Sequence, residues 1–167
     1  LLPKELAAET FVEMEPDEQE LLIRSFSDNE LKEVVDELYE ICKIRAEIFI
    51  LEQCIYVQDL DDVDKSVYHM YLKDEDGMQA YVRIIPKGMV YEGASIGRVV
   101  SRKRHCGYGT AIMKEAISFV ENVFGDSRID ISAQVQARQF YDLLGFVQTS
   151  DVYDECGVPH IHMVLEL

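Results

Sequence analysis

The sequence predicts an α+β or α/β domain in which helices cover one central β-sheet. Two segments carry apolar residues at the helical spacing, and several shorter segments rich in β-branched residues lie between and after them. Strands interleaved with helices in this way are typical of that fold class. The chain has 167 residues, 48% of them hydrophobic, which suits one domain with a sizeable core. No repeat at a fixed period is present, which excludes a solenoid.

The beginning of the chain differs in character from the rest. Residues 1–20 are acidic and weakly patterned, so we expect an N-terminal extension there. Residues 21–167 are expected to form the single domain, beginning with a strand at 21–26.

The clearest helical pattern follows this first strand. Ser27 or Asp28 can cap the helix, because their side chains accept hydrogen bonds from the first free backbone N–H groups. Its apolar positions are Leu31, Val34, Val35, Leu38, Ile41, Cys42, Ile48 and Phe49. Arg45 interrupts this apolar face, and we expect it to form a structural ion pair.

An acidic loop comes next, and its role stays open at this point. It contains Asp59, Asp61, Asp62 and Asp64. A solvated surface loop is one interpretation, and the cation-facing rim of a substrate cleft is the other. Arg83 and Arg98, on strands expected to be neighbours, are predicted to form ion pairs with Glu47 or Asp130 or to bind a substrate carboxylate.

The remaining segments predict most of the sheet and a second long helix. Residues 67–73 and 79–85 form a hairpin around an Asp-Gly turn, and Ala94–Ser101 forms the next strand. The second helix starts near Gly107 and stops at Gly125. The last elements are a strand at 129–133, a short helix at 137–144, a strand starting at 145 and a closing strand at 161–165.

The turn before the second helix predicts an anion site. Four of the 16 basic residues lie between Arg98 and Arg104, in an otherwise acidic protein. Backbone N–H groups at a helix N-terminus lack internal partners and carry partial positive charge, so they bind anions. Gly107 and Gly109 have no side chain to block a phosphate, and Thr110 adds a hydroxyl donor.

Two phosphate-binding motifs are excluded, and a third fits. A Walker A loop requires a Lys after the last glycine, and a Rossmann turn requires a third glycine; neither is present. The pattern Arg-x-x-Gly-x-Gly is met by Arg104, Gly107 and Gly109. A second motif follows on the next strand and helix. It reads Gln134-x-x-Ala137-x-x-Phe140-Tyr141-x-x-x-Gly145-Phe146.

Together the two motifs resemble the acetyl-CoA signature of the GNAT superfamily of N-acetyltransferases, and more narrowly its ElaA-like branch. Further phrases support the resemblance, including Tyr56-x-Gln58-Asp59-x-Asp61 and Gly157-x-Pro159-His160-Ile161. It extends over residues 31–164, with the elements in the family's order. This chain departs from the common pattern in having Gln134 where Asn is usual, and His105 and Cys106 after the signature Arg.

The resemblance implies a fold and a cofactor. The fold is a three-layer α+β sandwich, in which a central mixed, mostly antiparallel sheet is splayed in the middle and carries helices on both faces. The pantetheine arm of acetyl-CoA would fill the splay, and the pyrophosphate would sit on the amides of the glycine turn. The residues so implied in cofactor binding are Val99, Val100, Arg104, His105, Cys106, Gly107, Tyr108, Gly109, Thr110, Gln134 and Ala137.

The resemblance also implies direct attack of a primary amine on the thioester within a ternary complex. Tyr141 would protonate the departing thiolate, and a backbone N–H near Val99 would stabilise the charge on the carbonyl oxygen. We take Glu52 as the predicted general base. The alternatives that stay open are Asp59, Asp61, His160 and a water chain.

Charge and composition restrict the partners. With 32 acidic and 16 basic residues, the formal net charge is −16, which argues against nucleic acid and anionic membranes and is compatible with a small amine or a basic peptide. Cys156, His160 and His162 lack a fourth ligand, so no metal is expected. Four widely spaced cysteines indicate free thiols and a cytoplasmic protein.

Two other functions and one assembly stay open from the sequence. The chain could sense acyl-CoA without turning it over, or the glycine turn could merely cap a helix in an interaction protein. The resemblance allows a homodimer.

Overall fold

A computed structural model describes residues 27–167, and the chain divides into two compact units, residues 1–40 and 41–167. The expected extension at 1–20 and the predicted strand at 21–26 lie outside the described residues. The helices are α1 (Asp28–Arg45), α2 (Tyr108–Phe119) and α3 (Arg138–Asp142). The strands are β1 (Tyr68–Asp74), β2 (Gly77–Ile85), β3 (Ala94–Ser101), β4 (Arg128–Gln134), β5 (Val147–Gln148), β6 (Tyr153–Glu155) and β7 (Val158–Glu166).

Short irregular helical segments complete these elements. A π-helical segment, Ala46–Glu52, continues α1, and a second one, Val120–Phe124, continues α2 until Gly125 ends it in the left-handed conformation. A 3-10 turn over Asp62–Ser66 lies in the acidic loop, and another over Val135–Ala137 leads into α3.

The strands of the described residues form one sheet in the order β1-β2-β3-β4-β7-β5, with β6 paired to β7. The β3–β4 pair is parallel, and all the other pairs are antiparallel. The predicted mixed, mostly antiparallel sheet is therefore confirmed.

Both faces of the sheet carry helices within the second unit. On one face, α2 packs onto β1, β2 and β3 through Ile112, Met113 and Ala116. On the other face, Ile41, Ile44 and Ile48 pack against Met78, Tyr81 and Val100. All of these side chains are at most 6% exposed. Because alternate strand residues point to opposite faces, β2 and β3 contribute buried residues to both cores, as predicted for a three-layer arrangement.

Two local predictions need correction. Val34, Val35 and Leu38 of the first unit are more than half exposed, although they continue the apolar stripe of α1. Helical periodicity identifies an apolar face but does not show that anything covers it. The strand β6 was missed because its sequence is acidic. It forms a hairpin with β7 through Cys156 and Gly157, both with positive φ, as a two-residue turn requires.

Candidate active site

The sheet opens between β3 and β4. These two strands pair only at Ala94–Ile129 and Ser95–Asp130, although β3 continues to Ser101 and β4 to Gln134. Beyond the two pairs, the facing edges have no ladder partner in each other. The expected splay is present, and its edges offer backbone groups to an extended ligand.

A β-bulge shapes the β3 side of this splay. Tyr81 pairs with Val100 and Arg83 with Gly97, so Arg98 and Val99 together stand opposite one residue of β2. Arg98 has a φ of 53°, which is uncommon for a residue with a side chain. A bulge leaves its extra residue outside the ladder and is frequent beside active sites. It therefore supplies an irregular backbone at the position that the resemblance assigns to the thioester.

The loop after β3, with the first turn of α2, forms what we call the anion loop (residues 102–110). The amides of His105, Gly107, Tyr108, Gly109 and Thr110 donate no hydrogen bond to another described residue. His105 and Gly107 both have positive φ, which turns the chain sharply before α2 begins. Successive unpaired amides at a helix start are the chemistry that binds a phosphate.

The basic side chains around the anion loop are all paired with carboxylates. Arg98 pairs with Asp59 and Asp61, and Arg102 pairs with Glu47. Lys103 pairs with Asp74 and Asp76, and Arg104 pairs with Glu52. In the sequence, these four cations indicated an anion site. The structure shows them neutralised, so the unpaired amides are the main anion-binding feature of the loop.

The pair between Arg104 and Glu52 joins two predicted site residues. Glu52 ends the π-helical segment after α1, and both side chains are exposed. The Glu52 carboxylate is thus bound to a guanidinium instead of being open to a substrate amine. A phosphate approaching Arg104 would compete with Glu52 for the same guanidinium.

Gly107 and Gly109 meet different requirements. Gly107 has a φ of 83°, and a Cβ there would meet nothing within 4 Å. Gly109 has no positive φ, and its Cβ would meet Phe140 at 3.7 Å, an ordinary contact. The first glycine is thus required by the backbone, and the second leaves room at the helix start.

We expect Gly107→Ala to lower the free energy of unfolding by about 1 kcal/mol, because the left-handed conformation disfavours a Cβ. Gly109→Ala is the matched control and should leave stability unchanged or slightly raised, since alanine is the better helix former. Thermal unfolding of both variants checks this. Equal losses for the two would contradict the assignment of a backbone requirement to Gly107 alone.

The acidic loop binds arginines from three elements. Arg45 donates to Asp59 at 2.8 Å and to Asp64 at 2.9 Å, and Arg83 donates to Asp64 at 2.9 Å and to Asp61 at 2.7 Å. The interpretation as a solvated loop is wrong for these three carboxylates, and the expected ion pairs of the arginines are confirmed with different acidic partners. Because its carboxylates are committed to arginines, the loop is poorly suited to receive a cationic substrate.

Tyr141 lies on α3 in the core that α2 covers. It is 8% exposed, and burial raises the pKa of its phenol well above the usual range. No described residue forms a hydrogen bond with its hydroxyl. The fully buried side-chain polar atoms without a partner belong to Gln79, Arg83 and His162, so the Tyr141 hydroxyl is not fully buried. The hydroxyl therefore keeps some accessible surface and stays protonated at neutral pH.

Two further predicted cofactor residues flank the splay. Gln134 ends β4, donates to Gln53 at 3.0 Å and accepts from Gln136 at 2.7 Å. Ala137 is partly buried against the core just before α3. On the β3 side, Val100 is 3% exposed and packs under α1, so its backbone rather than its side chain lines the gap.

A cluster beside the splay was not predicted from the sequence, and we call it the polar face. It consists of Asp130, Ser132 and Gln134 of β4 with His160 and His162 of β7. In an antiparallel pair, directly opposed residues share a face, so Ser132 and His162 lie together, as do Gln134 and His160. Alternating polar residues in the segments 130–134 and 160–162 are the signal that would have revealed it.

Neither membrane spans nor metal clusters are found in the part of the chain that the structure describes. No helix within residues 27–167 has the length and hydropathy to cross a membrane. The same residues contain no group of three or more potential ligands that could hold a metal ion.

Residues 52–167 match the model of the acetyltransferase (GNAT) domain, and residues 1–40 match that of the MgtE intracellular N domain. The chain is 36% identical over 137 residues to a UPF0039 protein of Schizosaccharomyces pombe, covering 80% of this chain and 90% of that one. It is 30% identical over 137 residues to protein ElaA of Escherichia coli, with the same coverage.

Solved structures agree with these sequence relatives. An acyl-CoA N-acyltransferase from Pseudomonas aeruginosa has a TM-score of 0.73 at 30% identity, covering 78% of this chain and 91% of that one. The crystal structure of Escherichia coli ElaA has a TM-score of 0.72 at 30% identity, covering 79% and 91%.

Proposed function

We propose that this chain, which belongs to the GNAT acetyltransferase family, transfers an acetyl group from acetyl-CoA to a primary amine. One observation carries the proposal: the unpaired edges of β3 and β4 open directly beside the unpaired amides of the anion loop. A thin extended tether with a diphosphate at one end fits both features at once. The acyl-CoA N-acyltransferase of Pseudomonas aeruginosa, similar over most of its length, supports the same substrate class.

The proposed reaction uses residues on both sides of the splay. The tether pairs with the edge of β3 near Val99 and Val100, and its diphosphate lies on the amides of residues 104–110. A backbone N–H at the bulge donates to the thioester oxygen as negative charge develops there. Tyr141 donates its proton, or a strong hydrogen bond, to the departing sulfur. Glu52 remains a candidate base, although Arg104 holds it in this structure.

The acceptor is proposed to be a small amine or a basic peptide. The formal net charge of −16 favours the approach of a cation and disfavours nucleic acid and anionic membranes. The protein is proposed to act in the cytoplasm, in line with its four free cysteines. A homodimer is consistent with such a fold and stays a prediction.

The decisive experiment measures free thiol released from acetyl-CoA with a panel containing a monoamine, a diamine, an amino acid and a lysine peptide. Thiol release that depends on one of these amines, with the acetylated product found by mass spectrometry, supports the proposal. Thermal stabilisation by CoA without thiol release would favour the alternative, a sensor that binds acyl-CoA. Neither stabilisation nor release would contradict both.

We expect Arg104→Glu to weaken CoA binding about tenfold or more. The change removes a charge-assisted hydrogen bond to a phosphate and adds a negative charge beside it. Isothermal titration with CoA checks this. Lys87→Glu, which makes the same charge change in the loop between β2 and β3, should bind CoA almost normally. Unchanged affinity in the Arg104 variant would remove this side chain from the phosphate site.

A further inference from the structure

His160 has a nitrogen available for proton transfer. Its Nδ1 lies 2.8 Å from the carbonyl oxygen of Val158. A carbonyl oxygen only accepts hydrogen bonds, so Nδ1 carries a proton and Nε2 is the basic nitrogen of the neutral ring. Nε2 has no partner among the described residues and, unlike Nε2 of His162, is not a fully buried unpaired atom. The ring therefore presents a proton acceptor to an accessible surface.

The neighbours of His160 hold its ring and add a negative charge. Tyr153 of β6 pairs with His160 and stacks nearly parallel to it, with ring centroids 6.3 Å apart. The Tyr153 hydroxyl lies 2.6 Å from Ser132 Oγ, which donates to Glu155 at 2.5 Å. Glu155 is exposed and, among the described residues, pairs with no cation. Its carboxylate can attract an ammonium group to this surface.

The second histidine of the polar face is committed to structure. His162 Nδ1 lies 2.6 Å from Thr149 Oγ1, and Nε2 lies 2.9 Å from Asp130 Oδ1, outside hydrogen-bond angles. The Tyr91 ring covers it at 5.1 Å. Both nitrogens of His162 are therefore occupied or enclosed, which leaves His160 as the accessible imidazole of the pair.

The register places His160 level with the bulge. Ser95 pairs with Asp130, and Gln134 lies four residues further along β4. On β3 the bulge adds one residue, so the position level with Gln134 is five residues after Ser95, at Val100. Gln134 pairs in turn with His160. One row across the sheet therefore runs from the proposed thioester position to the free imidazole nitrogen.

The acid and this histidine lie on opposite faces. Tyr141 packs with Ile131, Ala133 and Ile161, which alternate along their strands with Ser132, Gln134 and His160. A thioester held in the splay would thus have Tyr141 on one side and the polar face on the other. This arrangement separates the leaving thiol from the incoming amine.

We infer that His160 is the general base of the proposed acetyl transfer and that the acceptor is an ammonium compound bound over the polar face beside Glu155. The inference rests on the proposed function. Nε2 takes one proton from the ammonium, and the nitrogen lone pair forms the C–N bond at the thioester carbon. The C–S bond then breaks, and the sulfur takes a proton from Tyr141. The former ammonium nitrogen loses a second proton, which reprotonates the Tyr141 phenolate. His160 then releases its extra proton to solvent.

The test compares His160→Gln with the wild type across pH, with the most active amine of the panel. At pH 7 we expect kcat/KM for the amine to fall about 100-fold or more, with KM for acetyl-CoA unchanged. The defect should shrink roughly tenfold per pH unit as the amine loses its own proton in solution. The titratable groups around His160 are Tyr153, Glu155 and His162, and a structural role alone would not give this pH dependence.

Two further variants complete the design. His162→Gln makes the same change two residues along the same face and should not produce a defect that recovers at high pH. Glu52→Gln tests the competing base. Two results would overturn the inference while leaving the proposed acetyltransferase activity intact. One is a kcat/KM defect that recovers at high pH in the Glu52 variant instead of the His160 variant. The other is a His160 variant whose kcat/KM follows the same pH profile as the wild type. No thiol release by the wild type with any amine would overturn the proposed function and the inference together.

Discussion

Asp64→Asn is expected to lower the free energy of unfolding by about 3 kcal/mol at pH 7. One oxygen of Asp64 accepts hydrogen bonds from both Arg45 and Arg83, and the two guanidinium side chains are 1% and 7% exposed. Removing one partner of a buried ion pair leaves a desolvated charge poorly compensated, which costs about 3–5 kcal/mol. Asp59 still binds Arg45, so the lower end of this range applies. Chemical denaturation of the two proteins measures the difference.

The effect should depend on pH with a defined sign. Burial raises the pKa of Asp64, but the hydrogen bonds from Arg45 and Arg83 outweigh this and lower it to about 2. An unfolded aspartate has a pKa of about 3.9. The stabilisation is therefore complete above about pH 4 and is lost as the pH falls towards about 2. The gap between the wild type and Asp64→Asn should narrow over the same range.

Asp62→Asn is the matched control in the same loop. Asp62 is 93% exposed and pairs only with Lys65, itself 78% exposed, within the described residues. Exposed pairs of this kind contribute at most about 1 kcal/mol. If both variants lost the same stability, the network of Asp64 with the arginines would not be a main support of this face of the sheet.

The glycine turn and the helix after it could be predicted because the relevant physics is local. Gly107 needs a left-handed backbone at a helix start, and Arg104 lies at a fixed distance along the chain from it. The positions of the described strands other than β6 followed from β-branched residues and turn residues in the same way. Local features of this kind leave a direct trace in the sequence.

The acidic partners of the arginines could not be predicted because these ion pairs join distant segments. Arg83 was expected to meet Glu47 or Asp130, yet it binds Asp61 and Asp64, whose loop folds back over β2. Glu47 instead binds Arg102. A charged residue carries no information on which opposite charge the tertiary fold brings to it.

The polar face was missed for a related reason. In the sequence, His160 and His162 were considered as metal ligands on one strand. The residues that surround them in the structure lie on neighbouring strands. Ser132 comes from β4 and Tyr153 from the unpredicted strand β6. The sheet register brings these residues together, and the contacts of the two rings show that His162 is enclosed and His160 accessible.

Tyr141→Phe is expected to lower kcat about 100-fold and leave protein stability unchanged or slightly higher. The loss in kcat follows because the phenol is the proposed donor to the leaving sulfur, and positioned acids contribute about that much. Burial raises the pKa of Tyr141, so the donor form persists across the neutral and alkaline range. Stability should not fall, because the change removes no hydrogen bond to a described residue and leaves a phenyl ring in the same apolar core. Thiol release and thermal unfolding measure the two effects.

Tyr81→Phe removes the same atom from the other face of the sheet and should behave oppositely. The Tyr81 hydroxyl donates to His69 Nδ1 at 2.7 Å, because His69 Nε2 already donates to the carbonyl oxygen of Asp64. Its loss should lower the free energy of unfolding by about 1 kcal/mol while turnover stays near normal. If the Tyr141 hydroxyl served packing alone, both variants would lose stability and neither would lose activity, which would contradict its role as the acid. Stability lost at Tyr81 and turnover lost at Tyr141 would together locate the acid on α3, because the chemical change is identical and only the position differs.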